Sequence, residues 1–421
     1  MSATEATSPK DQPAAVTVPP GAANPTPEGG PDGNGAAAAA PKGWRDRPLR
    51  QLAERYWKPV AMLAASRVVT FFVVYITRYV PGKGLVVGGI NGGQRFDRLA
   101  AWDGGWYILA ARHGWPHAVP ISHGFPAYST LAFFPAFPLA IRAVHVLGLN
   151  WVFSGFVTSL IFQVAMVILL WQLVKEVWGE QVAERGMLLF LFCPGALAFA
   201  LIYSEPMLFA AAAACLLALR RRWWLVAGLS AAVGTAVRPV GAALVACCAW
   251  EAAKAVRAER DWSALVAPVL APLGLVGWMG YLWAHTGSPF IWSKAEKAWD
   301  DSFDPLTLVT RFIYHPVTHT GQHLPRFQPV LGALFCLVAL VLLWRAKPAP
   351  VFLAYSLVVV FIAVSSRIVG LRPRLVETAF PLVLVFGYWL KGALYQGVLA
   401  CSAVLLGGLL FVSLTSHWFI P

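Results

Sequence analysis

Apolar segments of membrane-spanning length recur along this chain from about residue 60 onward. Hydrophobic residues make up 58% of the sequence and charged residues 13%, against about 45–50% and about 25% in a typical soluble domain. A soluble core cannot bury that excess, whereas a bilayer accommodates about 20 consecutive apolar residues per helix. The sequence therefore predicts an all-α, polytopic membrane protein with about 10–12 transmembrane helices.

The first 43 residues differ from the rest because they are rich in Pro, Ala, Gly, Thr and Ser. Such a segment buries too little surface to offset the entropy of ordering, so we expect a disordered cytoplasmic tail at 1–43. It lacks the charged start and apolar run of a signal peptide. Basic residues then precede the first apolar helix, at about 60–80, and place its N-terminal end in the cytoplasm. They are Lys42, Arg45, Arg47, Arg50, Arg55 and Lys58.

Residues 44–421 are predicted to form one transmembrane domain with two large extracytoplasmic loops, at 81–149 and 285–328. Within the first loop, the segment 131–149 is apolar but contains prolines, Arg142 and His145, which suit an interfacial or re-entrant element. Further helices are predicted at about 152–171, 186–202, 206–219, 223–238, 240–253, 263–284, 329–344, 350–366, 375–390 and 395–415.

The net charge of +13 is distributed in short basic clusters between the apolar runs. This distribution is typical of cytoplasmic loops and argues against nucleic-acid binding, which would favour one basic stripe or arm. Alternating sides along the predicted helices brings the clusters at 220–222, 254–260, 345–347 and 391 to the cytoplasmic side. The count would be wrong by one crossing if 131–149 spanned the membrane.

Two acidic residues of the first outer loop are candidates for chemistry. Asp103 lies among aromatic residues and precedes two glycines. Glycines allow close approach of a ligand, and partial desolvation raises the basicity of a carboxylate, so Asp103 suits a general base for an alcohol. The alternative is that Asp103 caps a short helix. Asp97 is interpreted as a solvated loop charge.

Other charged residues converge on the same predicted face. Glu205 lies at a helix-to-helix turn, where it either caps a helix or contacts a ligand. Arg238 separates two apolar runs and needs an acidic or anionic partner. Three more arginines contradict the positive-inside trend; they either bind a lipid-linked phosphate or extend towards lipid head groups. These are Arg367, Arg372 and Arg374.

Cysteine and histidine spacing does not predict a metal site. The six cysteines all lie in apolar stretches without metal or disulfide spacing. Among the histidines of the second loop, only His315 and His319 have i, i+4 spacing, and a proline follows the first directly. Zinc binding is therefore not expected at this group, which comprises His285, His315, His319 and His323.

Several short motifs can be distinguished along the chain: Trp102 and Asp103; Phe133, Phe134, Pro135, Phe137 and Pro138; Pro194 with Tyr203, Ser204 and Glu205; Arg238 to Gly241; and Arg374 with Phe380 and Pro381. Together they resemble the family of the second mannosyltransferase of glycosylphosphatidylinositol anchor assembly (PIG-V) and its bacterial relatives. The motifs occur in order between about residues 60 and 390. The Pro-, Ala- and Gly-rich tail is typical of a high-GC actinobacterium, which makes no eukaryotic anchor, so the family's acceptor is not carried over.

This resemblance implies a GT-C-like bundle and an inverting mannosyltransferase of the plasma membrane. Mannose would move from polyprenyl-phosphate mannose to a lipid or glycan acceptor on the extracytoplasmic face. Asp103 would be the catalytic base, while Arg374, Arg372 and Arg238 would bind the donor phosphate. The expected substrate contacts are Trp102, Trp106, Tyr107, Tyr203 and Glu205. A divalent cation, Mg²⁺ or Mn²⁺, could assist, although no cluster of residues demands one.

A transporter or flippase of a lipid-linked sugar is the alternative function, since it would also need outer arginines and a polar cavity. Transporters often contain paired halves with interrupted helices in corresponding positions. The sequence shows no such repeat. The acidic motif in the large first outer loop also favours an enzyme.

The predicted topology is testable by labelling a cysteine at position 103 with a membrane-impermeant reagent. We expect labelling from the extracytoplasmic side, because the basic clusters orient the first helix with its C-terminal end outside. If the reagent reaches residue 103 only after it is given access to the cytoplasmic face of the membrane, the predicted topology is wrong. The site assigned from that topology would then be wrong as well.

Overall fold

The computed structural model describes residues 47–80, 97–299, 302–303, 327–366 and 373–416. The predicted tail at 1–43 lies outside these ranges, as do Arg367, Arg372, His315, His319 and His323. The chain divides into two units, residues 1–51 and 52–421, and every contact discussed below lies within the second. Nearly all the described secondary structure is helical, which confirms the predicted all-α class.

The described α-helices differ widely in length. They are α1 (Arg47–Ile76), α2 (Asp103–His113), α3 (Ala136–His145), α4 (Trp151–Trp178), α5 (Glu180–Phe192), α6 (Glu205–Arg220), α7 (Trp224–Val237), α8 (Ala242–Glu259), α9 (Val266–Leu270), α10 (Leu273–Thr286), α11 (Ile291–Glu296), α12 (Phe327–Arg345), α13 (Pro350–Val364), α14 (Pro373–Thr378), α15 (Pro381–Leu384), α16 (Phe386–Trp389) and α17 (Gly392–Thr415). An antiparallel hairpin pairs β1 (Ile121–Ser122) with β2 (Phe125–Pro126).

Short 3₁₀ helices connect several of these elements. They are Thr77–Tyr79, Asp97–Ala100, Thr130–Ala132, Pro194–Ala200, Pro239–Gly241, Trp262–Leu265 and Lys297–Trp299.

Five segments in the described part of the chain are long and apolar enough to cross a membrane. They are Glu54–Ile76, Trp151–Trp178, Pro239–Glu259, Trp262–Thr286 and Gly392–Thr415. A sixth span results if Glu180–Phe192 and Pro194–Ala200, which meet at an angle of 73°, are counted together. Shorter apolar helices occur at Trp224–Val237, Leu331–Arg345 and Pro350–Val364. The protein is thus a multi-pass membrane protein, and the predicted number of crossings stays a prediction.

Three helices that the sequence predicts as continuous are broken in the structure. The predicted helix at 186–202 ends at Phe192 and continues as a 3₁₀ helix from Pro194. The one at 263–284 divides around Pro272, and the one at 375–390 divides into short helices around Pro381. Proline lacks the backbone N–H that continues the helical hydrogen bonds, so each break follows from a local residue that the hydropathy pattern ignores.

The segment 131–149 contains a helix of only 10 residues, α3. At about 1.5 Å per residue, such a helix is too short to cross a hydrocarbon core of roughly 30 Å. Phe137, Pro138 and Ile141 form its buried side, whereas Leu139 is 48% exposed. This amphipathic helix has the form predicted for an interfacial element.

Ion pairs join the helix ends at one side of the bundle. Lys58 of α1 binds Glu180 and Glu184 at the start of α5, with distances of 2.7 and 2.6 Å. Further pairs at this end include Lys175–Glu180, Arg221–Glu176 and Arg222–Glu259. Arg220, the last residue of α6, also lies at this end, which we call the basic end. Glu205 is the first residue of α6 and therefore lies at the opposite end, since a helix rises about 1.5 Å per residue.

Helix α6 forms the centre of the bundle, since nearly all its residues are buried. Its alanines present little bulk, which allows the neighbouring helices to approach closely.

The turn between α7 and α8 also depends on close contact between backbones. A Cβ atom on Gly241 would lie 2.2 Å from the carbonyl oxygen of Gly234, so this turn requires glycine at position 241.

We predict that Gly241→Ala destabilises the protein. The added methyl group would push the start of α8 away from α7, and overpacking of this kind costs about 1–3 kcal/mol. Thermal unfolding of the purified protein in detergent measures the change. Gly277→Ala is the matched control, because nothing lies within 4 Å of a Cβ atom there. Equal melting temperatures for the two variants would contradict the proposed close contact.

Candidate active site

Asp103 is the first residue of α2, and its position is determined by the turn before it. Trp102 has a φ of 58°, a conformation that L-residues rarely adopt. Its indole N–H donates to the carbonyl oxygen of Ser413, at the end of α17, over 2.9 Å. Backbone strain of this kind persists only where surrounding contacts over-determine it. The fold therefore holds the carboxylate of Asp103 at a defined place.

The glycine after Asp103 allows α2 to dock closely. A Cβ atom on Gly104 would lie 3.2 Å from the carbonyl oxygen of Leu99 and 3.3 Å from that of Ile202. The backbone N–H of Ile202 donates to Leu99 over 2.9 Å. This docking brings the start of α2 beside the segment that leads into α6, where Glu205 begins the helix.

The Asp103 carboxylate forms an ion pair with Arg374 of α14. Oδ2 of Asp103 lies 2.8 Å from Nη1 of Arg374. The Asp103 side chain is 25% exposed, whereas that of Arg374 is only 10% exposed. Asp103 is not the N-cap of α2, a position that Trp102 occupies, so the capping explanation is wrong. Arg374 is buried, which also excludes the alternative that it extends into lipid head groups.

Glu205 links two arginines from different elements. Its Oε1 atom accepts from Nη1 of Arg238 over 2.5 Å and lies 3.2 Å from Nε of Arg374. The Glu205 side chain is 1% exposed, and that of Arg238 is 20% exposed. We call Asp103, Arg374, Glu205 and Arg238 the charge network. Its two carboxylates and two guanidinium groups alternate in space, as buried charges require.

This arrangement answers the questions that the sequence leaves open for Glu205 and Arg238. The N-cap of α6 is Ser204, which makes no side-chain capping bond, so Glu205 has a role other than capping. The partner that Arg238 needs is Glu205. One oxygen of Glu205, Oε2, is buried and has no hydrogen-bond partner within the described residues.

Two tyrosines pack beneath the charge network. The guanidinium of Arg374 lies over the ring of Tyr203, 5.1 Å from its centroid. Tyr107 bonds through its hydroxyl to Oγ of Ser204 over 2.6 Å. Burial raises the pKa of Tyr107 to about 12, so its hydroxyl is neutral near pH 7 and cannot serve as an ionised base. Both tyrosines are buried, and their predicted role as substrate contacts stays a prediction.

An aromatic cluster adjoins the network on α2. Trp106 is one helical turn after Asp103 and stacks with Phe133 at a centroid distance of 6.2 Å. Trp299 contacts Trp106 edge-on at 5.6 Å and Tyr128 at 4.8 Å. Sequence reasoning identified Trp106 but not Tyr128 or Trp299. Trp299 lies in the second large loop, where no motif surrounds it.

A second buried polar group also escaped sequence reasoning. Arg67 of α1 and Glu377 of α14 are 5% and 1% exposed, and Sγ of Cys193 lies 3.3 Å from Oε1 of Glu377. Arg67 interrupts the apolar run of the first helix, a signal that could have indicated a buried partner. Glu377 lies one turn after Arg374, so this group is adjacent to the charge network in sequence.

No group of three or more His, Cys, Asp or Glu side chains could hold a metal ion within the residues that the structure describes. The Nε2 atom of His285 instead pairs with the carbonyl oxygen of Trp115 over 2.8 Å. The role of a divalent cation stays a prediction.

No protein-family model matches the chain. No curated protein matches it either. Among solved structures, the chain is similar to ArnT from Cupriavidus metallidurans bound to undecaprenyl phosphate, with 15% identity, a TM-score of 0.49 and coverage of 84% of this chain and 64% of ArnT. It is also similar to the Archaeoglobus fulgidus oligosaccharyltransferase tethered with an acceptor peptide, with 11% identity, a TM-score of 0.44 and coverage of 88% and 56%. The chain thus spans less than two thirds of the length of either protein.

We predict that Arg374→Ala lowers the stability of the protein markedly. The change would leave Glu205 buried with one arginine in place of two, and breaking a buried pair costs about 3–5 kcal/mol. Arg222→Ala is the matched control, because Arg222 and Glu259 are about half exposed and exposed pairs contribute little. Thermal unfolding in detergent compares the two. A smaller loss for Arg374→Ala than for the control would contradict the network.

Proposed function

We propose that this protein is an inverting membrane glycosyltransferase that uses a polyprenyl-phosphate sugar as donor. The observation that carries the proposal is the contact between a partly exposed carboxylate, Asp103, and a buried arginine, Arg374, which Glu205 connects to Arg238. A glycosyl transfer from a lipid phosphate needs a base for the acceptor hydroxyl and cations for the departing phosphate. The charge network contains both kinds of group at one end of the bundle.

The proposed reaction is a displacement at the anomeric carbon of the donor sugar. The acceptor oxygen forms a bond to that carbon on one face, while the bond from the carbon to the phosphate oxygen breaks on the other. Asp103 takes the proton of the acceptor hydroxyl. Arg374 and Arg238 stabilise the charge that develops on the lipid phosphate, which leaves as the product. The transition state has the oxocarbenium character of other glycosyl transfers.

The place of the network within the fold supports a lipid-linked donor. Glu205 begins α6 and Arg238 directly follows α7, so the network lies at the ends of apolar helices. A membrane lipid carries its head group at the edge of the hydrocarbon core, where the ends of membrane-spanning helices also lie. A transporter, in contrast, typically binds its substrate near the membrane midplane.

The finer assignments extend this proposal by resemblance. The PIG-V-like motifs favour mannose as the sugar and a lipid or glycan as the acceptor. The positive-inside pattern favours an extracytoplasmic site in the plasma membrane. Near Asp103, the rings of Trp106, Tyr128 and Trp299 form an apolar surface on which a sugar ring could stack.

We predict that Asp103→Asn abolishes sugar transfer. Asparagine keeps the shape of the side chain but cannot accept the proton, and loss of general base catalysis lowers rates by about 100- to 10,000-fold. Purified protein in nanodiscs is incubated with radiolabelled polyprenyl-phosphate mannose and a mixture of membrane lipids and glycans. Formation of a labelled product is then measured over time.

Asp261→Asn is the matched control, because Asp261 follows α8 at the basic end and its side chain caps a turn that asparagine also caps. The control is expected to retain wild-type transfer. Full transfer by Asp103→Asn would eliminate Asp103 as the base. Movement of the donor between leaflets without any transfer by the wild-type protein would favour the transporter alternative.

A further inference from the structure

The structure pairs two groups that the proposed reaction needs apart. Arg374 is assigned to the donor phosphate and Asp103 to the acceptor hydroxyl, yet Nη1 of Arg374 donates to Oδ2 of Asp103 over 2.8 Å. While this hydrogen bond exists, this N–H of the guanidinium and this oxygen of the carboxylate already have each other as hydrogen-bond partners. Binding of an anion to the same side of Arg374 therefore requires the contact to change.

Burial determines which partner of Arg374 can move. Glu205 is 1% exposed and forms ion pairs with both arginines, so its departure would leave a buried charge without compensation. Asp103 is 25% exposed, and water can solvate it when it leaves Arg374. Asp103 is thus the exchangeable partner, and Glu205 is the fixed one.

Charge balance points in the same direction. The charge network contains two carboxylates and two guanidinium groups, which cancel when all four are ionised. A phosphate that binds Arg374 adds negative charge beside Asp103, and like charges at short range repel. The same phosphate offers Arg374 two oxygens at once, a bidentate partner that matches the planar guanidinium fork. Both effects favour exchange of the carboxylate for the phosphate.

We propose, on the basis of the function proposed above, that the donor phosphate displaces Asp103 from Arg374. The released carboxylate is then available to the acceptor hydroxyl. No covalent bond changes in this step, since one ion pair replaces another. Donor binding would precede activation of the base, so Arg374 couples occupancy of the donor site to the state of Asp103.

The Asp103→Asn variant distinguishes competition for Arg374 from simple contact with the ligand. If Asp103 competes with the phosphate for Arg374, its neutralisation removes the competitor and strengthens phosphate binding. We expect Asp103→Asn to bind a lipid phosphate roughly 3- to 30-fold more tightly than the wild type. The variant lacks the repulsion between the carboxylate and the phosphate, and a unit charge near a protein surface changes affinity by about this factor. A residue that merely contacts the ligand would give weaker binding when altered.

The experiment uses the full-length protein in nanodiscs and farnesyl phosphate as the probe, with Kd measured by isothermal titration calorimetry. Farnesol, which lacks the phosphate, is the ligand control and is expected to bind the wild type and the Asp103→Asn variant equally. Asp261→Asn is the charge control, because it removes a negative charge at the opposite end. Only Asp103→Asn is expected to tighten phosphate binding.

A double-mutant cycle with Arg374→Gln tests whether the effect acts through that arginine. In the Arg374→Gln background, Asp103→Asn is expected to leave the Kd unchanged. If Arg374→Gln does not fold, the comparison of the two aspartate variants still decides the question.

The possible results separate the inference from the function on which it rests. Unchanged or weaker phosphate binding by Asp103→Asn overturns the displacement and leaves the glycosyltransferase proposal intact. Equal tightening by Asp261→Asn also overturns it, because the effect would then come from net charge alone. Absence of binding by both the wild type and Asp103→Asn overturns the displacement and the proposed donor site together.

Discussion

The rest of the site depends on the ion pairs that the buried carboxylate of Glu205 forms with Arg238 and Arg374. A charge that is 1% exposed is stable only when paired, and Glu205 is paired with arginines from two separate elements. Arg238 comes from the turn between α7 and α8, and Arg374 from α14. Removing Glu205 would leave the two guanidinium groups to repel each other. This carboxylate therefore sets the spacing of the cations.

The apolar helices make that pairing both necessary and strong. Alanine-rich α6 packs closely among its neighbours, and its first residue, Glu205, is buried together with the rest of the helix. In such surroundings charges interact more strongly than in water. The network lies at the helix end opposite the Lys58–Glu180 pair, so these two sets of ion pairs lie at opposite ends of the bundle. One set joins helices at exposed positions, whereas the other is largely buried.

Sequence reasoning could identify the members of the network but not their pairing. Asp103, Glu205, Arg238 and Arg374 each stand out as a charge beside an apolar run. Asp103 and Arg374 are 271 residues apart, and hydropathy carries no information about contacts at that distance. Arg67 and Glu377 were missed because neither belongs to a motif. The helix breaks at Pro194, Pro272 and Pro381 were missed because apolar composition outweighed the backbone preference of proline.

The difference in exposure within the network has a chemical consequence. In a set of four fully buried charges, none could leave its partner without a large desolvation cost, whereas four exposed charges would hold the cations less rigidly. Here Glu205 is fixed by burial, while Asp103 borders solvent at the start of a docked helix. A balanced network of this kind is stable without a ligand and can exchange one carboxylate for another anion. The proposed reaction thus assigns stability to Glu205 and reactivity to Asp103, two different carboxylates of the same network.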